Sequence, residues 1–282
     1  YAGLTEDGEI VPSKQCYAHA FVILAASSGM LAGRDGAKEL LDDALALFDK
    51  RFWNEEEGLT CDTWNTEFTV LDDYRGLNAN MHTVEAFLAA ADALDDEKYR
   101  VRAGRIIDHV IGWASENEWR IPEHFTKEWK ADLDCNKDHP ADQFKPYGAT
   151  PGHGIEWSRL ITQWALSTYR EDEEKRAPYL QAAESLYARA ISDAWDADGA
   201  PGIVYTTDWN GKPVVHDRMH WTLAEAINTS GVLWHVTGNE RYANDYAAFM
   251  QYLDECVLDH ENGSWFHQLD ANNHVIGTVW PG

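Results

Sequence analysis

Four histidines, His19, His82, His153 and His220, each open a stretch of apolar, helix-forming sequence, at intervals of 63, 71 and 67 residues. A chain with one imidazole per recurring unit folds most simply as an array of like units whose helix ends converge on one pocket. The stretches are QCYAHAFVILAA, NANMHTVEAFLAAA, PGHGIEWSRLITQWA and DRMHWTLAEAINTSGVLW, and three of them carry a glutamate soon after the histidine, at Glu85, Glu156 and Glu225. Spacing of i to i+3 puts His82 with Glu85, and His153 with Glu156, on one helix face, where a carboxylate can orient the ring.

Helical periodicity marks roughly residues 14 to 29, 36 to 50, 80 to 94, 97 to 115, 153 to 170, 174 to 194, 218 to 237 and 240 to 257. These are eight helices in four pairs. The first of each pair is small and apolar nearly all round, as in AFLAAADAL, which predicts burial; the second carries charge on one face, as in EKYRVRAGRIIDHVI, which predicts a solvated wall. After each outer helix comes a Gly- or Asn-marked turn among aromatic and β-branched residues, read as a short hairpin returning the chain to the next inner helix. The acidic turn Asp196-Ala-Asp198-Gly199 lacks the remaining ligands of an EF-hand calcium loop.

Alternating inner and outer helices close as an all-α toroid. Residues 1–282 are accordingly expected to form a single α/α barrel domain with short hairpins between helix pairs. About four of the usual six pairs are counted, so the chain is expected to be an internal fragment lacking N- and C-terminal helix pairs. The segment from Tyr1 to Pro12 is expected to be a hairpin feeding the first helix, and Trp280-Pro281-Gly282 stands where a fifth inner helix should begin.

A formal net charge of −25 disfavours nucleic acid and anionic membranes as partners. The four cysteines, Cys16, Cys61, Cys135 and Cys256, form no C-x-x-C pair, a usage that fits a reducing, cytoplasmic compartment better than a disulfide framework. The longest apolar stretch, Ala20 to Gly33, is shorter than a membrane span and is interrupted by Ser27 and Ser28, and no signal peptide is visible. The expected partner is a small sugar, with a homo-oligomer left open. Thirteen Trp, twelve Tyr and nine Phe supply rings that suit the C–H faces of a sugar, although core packing explains most of them.

Imidazoles at inner-helix starts, carboxylates one turn later, and Asn78, Gln143, Tyr17 and Trp221 nearby combine acid/base groups with neutral hydrogen-bonding groups. Histidine titrates near neutrality and can both take and return a proton, so the chemistry read here is proton transfer on a polyol. A pair of His-x-x-Glu motifs could hold a metal in a helical bundle, but the additional carboxylates of such a site are missing. With no Gly-rich phosphate loop and no G-x-S-x-G elbow, neither metal nor organic cofactor is expected.

At these same residues the chain resembles the N-acylglucosamine 2-epimerase superfamily, and within it the aldose–ketose isomerase branch of the mannose- and sulfoquinovose-isomerising type. The matching stretches are Y-x-H-A-F at Tyr17 to Phe21, N-x-N-M-H-x-x-E-A at Asn78 to Ala86, R-I-P-E-H-F at Arg120 to Phe125, the run from Phe144 to Trp157, and D-R-M-H-W-x-x-A-E-A at Asp217 to Ala226. The run leading into G-H-x-x-E-W is the most specific. The resemblance implies an (α/α)6 barrel and cofactor-free 1,2-proton transfer through a cis-enediol, with two histidines as acid/base catalysts. His153 matches the first; the second would stand roughly 65 to 70 residues beyond His220, past Gly282, and the family's first-helix arginine would precede Tyr1. By the same resemblance Tyr17, Asn78, His82, Gln143, Glu156, Trp221 and, in less certain register, Gln268 match sugar-contacting or supporting positions.

The function expected is interconversion of an aldose and a ketose of the mannose/fructose type. His153 would move the proton or open the ring, Glu156 hold its tautomer, and His82, Asn78 and Tyr17 place the hydroxyls. The alternatives are a 2-epimerase acting on N-acylglucosamine or cellobiose, which reprotonates the same enediol on the opposite face, and a sugar- or partner-binding toroid without turnover. His19, in a strongly apolar helix start, is expected to face the packing rather than the sugar.

Overall fold

The computed structural model describes residues 2–4 and 10–276, with side chains from residue 12 onward. The chain divides into two compact units, Tyr1–Val110 with Glu123–Asp132, and Ile111–Pro122 with Leu133–Gly282. The expected stop at Trp280-Pro281-Gly282 lies outside the described residues.

In the first unit Ala2–Leu4 pairs antiparallel with Ile10–Pro12, the hairpin expected ahead of the first helix, and Ser13–Gln15 pairs onward with Thr63–Asn65. Helix α1 (Cys16–Leu31) packs along α2 (Ala37–Arg51) and α3 (Leu77–Leu94), and α4 (Glu97–Glu116) follows. The pattern that makes α3 apolar all round buries ten of its residues, from Leu77 to Ala91, with Phe87 at the centre against Phe48, Trp53 and Tyr99. Truncating such a ring costs about 3–5 kcal/mol. α1 differs from the expectation of all-round burial: Phe21, Val22 and Leu31 remain 37%, 39% and 65% exposed. Apolar sequence supplies the surface for burial, but α2 and α3 cover only part of it. The outer helices carry their charge outward, and Arg102 of α4 ties back to Asp49 and Glu55 across the Trp53 ring.

The second unit repeats the scheme. α5 (Pro151–Thr168) packs on α6 (Glu173–Ala194) and α7 (His220–Thr237), and α7 packs on α8 (Glu240–Tyr252), which runs into a π turn at Leu253–Val257. Pro151 occupies the start of α5, where its missing N–H is no loss, and Asp172 caps α6 by accepting from the Lys175 N–H. The core between these helices contains Ile155, Tyr187, Leu223, Leu233 and Phe249.

Two buried ion pairs fasten the loops. Arg120 donates from Nε to Asp193 Oδ2 at 2.7 Å, both side chains under 10% exposed, beside a Gly211 that leaves no room for a Cβ. Arg218 forks onto Asp198 while His216 Nδ1 lies 2.7 Å from the same carboxylate, and this holds Asp198 well below the ordinary aspartate range. The turn that the sequence marks as acidic is thus a lock: Asp198 takes Arg218, and Asp196 Oδ1 accepts the Gly202 N–H.

Candidate active site

In the first unit the candidates gather where α1 meets α3. The Tyr17 ring stands edge-on to His82 at 4.9 Å, and Phe21 lies 4.8 Å from the same imidazole. His82 Nδ1 is 3.3 Å from Glu85 Oε2, the one-turn pairing its spacing predicts. Asn78 is exposed in the first turn of α3, four residues before His82 and on the same side of the helix. Its neighbour Asn80 is buried and structural: Oδ1 accepts the Thr60 N–H at 3.0 Å and Nδ2 donates to the Gly76 carbonyl at 3.1 Å.

His19, although it opens the first repeat, does not join this cluster. Its Nδ1 is 2.8 Å from the Gln15 carbonyl and its ring lies 4.8 Å from Phe52 and 6.5 Å from Phe68. Burial lowers its pKa against the weaker opposing effect of that carbonyl, so the ring is a neutral packing group. The sequence motifs give no warning of Tyr74, whose hydroxyl is 2.7 Å from Nδ1 of the buried His124.

In the second unit the start of α5 faces the start of α7. The His153 ring lies against Trp221 with centroids 5.3 Å apart and 33° between planes, and Tyr205 stands edge-on to the same indole at 6.3 Å. The contact depends on Gly152, since a Cβ there would sit 2.7 Å from Trp221 Cη2 and Cζ3 and from Thr222 Cγ2. Glu156, one turn beyond His153, has its carboxylate 3.6 Å from Arg159, which forks onto Glu225 of α7 at 2.8 and 3.1 Å. Arg159 is the residue that motif reading passes over, because a single arginine in an apolar helix reads as an exposed position; here it is 6% exposed.

Gln268 Nε2 donates to Asp217 Oδ2 at 2.7 Å, which ties the Gln268–Leu269 strand to the chain entering α7. His220 Nδ1 lies 3.1 Å from the His267 carbonyl with the two rings 4.5 Å apart, and burial again lowers the His220 pKa. Gln143 is exposed on the loop before α5. Three of the four thiols are made poorer nucleophiles: burial pushes Cys61 up to about 11, Cys16, whose sulfur is 3.7 Å from the Thr83 hydroxyl, higher still, and Cys256 up as well. The chemistry on offer is therefore an imidazole that can exchange protons beside an indole platform suited to sugar C–H groups, backed by a buried carboxylate–guanidinium–carboxylate chain.

Paired helices, with the candidate groups at the starts of α1, α3, α5 and α7, are the architecture of the α/α toroid class. A crystal structure of D-mannose isomerase superposes with a TM-score of 0.86 at 30% identity, covering 95% of this chain and 70% of that one. A cellobiose 2-epimerase from Spirochaeta thermophila DSM 6192 shares the fold with a TM-score of 0.78 at 16% identity, covering 98% of this chain and 67% of that one. The sequence matches the profile of the N-acylglucosamine 2-epimerase (GlcNAc 2-epimerase) family over residues 1–282, and the chain belongs to that family. Among its relatives are D-mannose isomerases of Pseudomonas cannabina pv. alisalensis, 42% identical over 282 residues, and of Thermobifida fusca, 42% identical over 285. Each match covers 100% of this chain and respectively 68% and 69% of the relative. Among the described residues no helix is long and apolar enough to cross a membrane.

Proposed function

We propose that the protein is an aldose–ketose isomerase acting on a mannose-like monosaccharide. The observation that carries this is identity of 42% with two D-mannose isomerases along the whole of this chain. The geometry at the start of α5 gives it a chemical form. His153, held against Trp221, takes the proton from C2 of the open-chain aldose and returns it at C1 through a cis-enediol, and the Trp221 ring offers a face to the sugar carbons. Glu156 stabilises the imidazolium and fixes the tautomer. His82, oriented by Glu85, acts with Tyr17 and Asn78 on the hydroxyls, and Gln143 and Gln268 supply further polar contacts.

Proton NMR of mannose incubated with the enzyme in D2O and EDTA tests the proposal. Fructose-type ketose accumulating with deuterium exchange supports it. Glucose without ketose would assign the chain to the 2-epimerase reaction instead, since the same enediol reprotonated on its opposite face gives the epimer. Neither product would leave a sugar-binding toroid without turnover.

A further inference from the structure

We propose that Arg159 is a positioning residue for this reaction, its guanidinium forked onto Glu225 of α7 and thereby holding the Glu156 carboxylate in place one helical turn from His153. The inference rests on the isomerase reading and adds a residue to it. His153, Glu156 and Arg159 follow one another at three-residue intervals, so Glu156 neighbours His153 on one turn of α5 and Arg159 on the next.

The hydrogen-bond pattern of Arg159 is specific. Nε donates to Glu225 Oε2 at 2.8 Å, Nη2 to Glu225 Oε1 at 3.1 Å, and Nη1 to Gln163 Oε1 at 3.3 Å, so three acceptors fix the plane of the group. In that plane Nη2 also comes within 3.6 Å of Glu156 Oε1. The Arg159 and Glu156 side chains are each 7% exposed and Glu225 is 20% exposed. A cation that cannot lose its proton is therefore shared by two carboxylates sheltered from water.

A strut between α5 and α7 needs only Glu225. The third group, Glu156, gives the arrangement a second use. A carboxylate that must stabilise a transient imidazolium has to be ionised and must not turn away, and a fixed guanidinium at this distance favours both. Lysine could neutralise the charge but lacks the planar fork that holds the geometry.

The test uses the full chain, comparing Arg159→Lys and the exchanged pair Arg159→Glu with Glu225→Arg, and measuring thermal unfolding beside kcat and KM for mannose. Arg159→Lys is expected to fold and to lose about tenfold or more in kcat with KM changed by less than about threefold, the pattern of a lost transition-state interaction. The exchanged pair restores an α5–α7 ion pair but sets an anion beside Glu156. It is expected to unfold at a higher temperature than Arg159→Glu alone while remaining as inactive. Recovery of kcat together with stability in the exchanged pair would reduce Arg159 to a strut, and Arg159→Lys with undiminished kcat would overturn the proposal by itself. If the exchanged pair does not fold, the kcat and KM of Arg159→Lys decide. A wild-type enzyme that turns over no mannose refutes the isomerase reading, an outcome distinct from either of these.

Discussion

Replacing Gly152 with alanine should separate activity from stability. Its Cβ would fall 2.7 Å from two carbons of the Trp221 ring and from Thr222 Cγ2. Carbon atoms rest about 3.5–4.0 Å apart, so α7's first turn or the indole itself must retreat by roughly 1 Å. Overpacking of this kind costs about 1–3 kcal/mol. Against it stands a gain of up to about 1 kcal/mol from exchanging glycine for alanine inside a helix. The net loss of about 0–2 kcal/mol corresponds to a few degrees in Tm, at about 2–4 °C per kcal/mol for a chain of this order of size. The same displacement moves Trp221 relative to His153, now 5.3 Å away, and a misplacement of about 1 Å at a reacting centre can cost about a hundredfold in rate. Initial rates of ketose formation by NMR and thermal unfolding by circular dichroism read the two effects. The control is Gly154→Ala, whose Cβ would meet Ala190 of α6 at 3.3 Å, away from Trp221; its kcat/KM should stay within about threefold of wild type. Full activity in Gly152→Ala would refute the claim that the His153–Trp221 contact matters to the reaction.

Arg120→Ala leaves the 7%-exposed Asp193 carboxylate with only the more exposed Arg189 and should cost about 3–5 kcal/mol in urea unfolding; a loss below about 1 kcal/mol would show the pair to be dispensable. His19, lowered from an ordinary value of 6.5, remains neutral in the folded protein at a pH where the unfolded chain is already protonated. Its contribution to stability is therefore full above that value and declines as pH falls below it. His19→Gln should flatten the fall in Tm between about pH 7 and pH 5 and keep kcat/KM within about threefold of wild type. An unchanged Tm profile, or a large loss of activity, would mean that the imidazole does more than pack against Phe52.

The helices were legible because their signals are long and periodic. Seven of the eight stand within about three residues of the sequence limits, α8 stops five residues short, and the departures have local causes. α3 starts at Leu77 rather than near residue 80 because the extended Gly76, not an asparagine, precedes the first turn. α5 begins at Pro151, which fits a first turn although it cannot sit further in. α8 ends at Tyr252 and a π turn replaces the last stretch to Val257, a change of winding that leaves the apolar pattern of Leu253 and Val257 intact. At the site, one-turn spacing on a single helix was readable, as for His82 with Glu85. Partners that meet only in three dimensions were not: Arg159 with Glu225, Tyr74 with His124, and Gly152 beneath Trp221 each join segments about 50 to 70 residues apart with no local pattern. Nor does sequence distinguish Asn78 from Asn80, since both sit at the same helix start and only the fold buries one of them.

Whether His153 moves the proton that converts aldose to ketose is decided by NMR of mannose in D2O with wild type and His153→Ala at equal concentration of folded enzyme. Wild type is expected to form ketose and exchange the C2 proton, with both reduced by at least about a hundredfold in the variant while its Tm stays close to that of wild type. Ketose formed by His153→Ala at the wild-type rate would contradict that role.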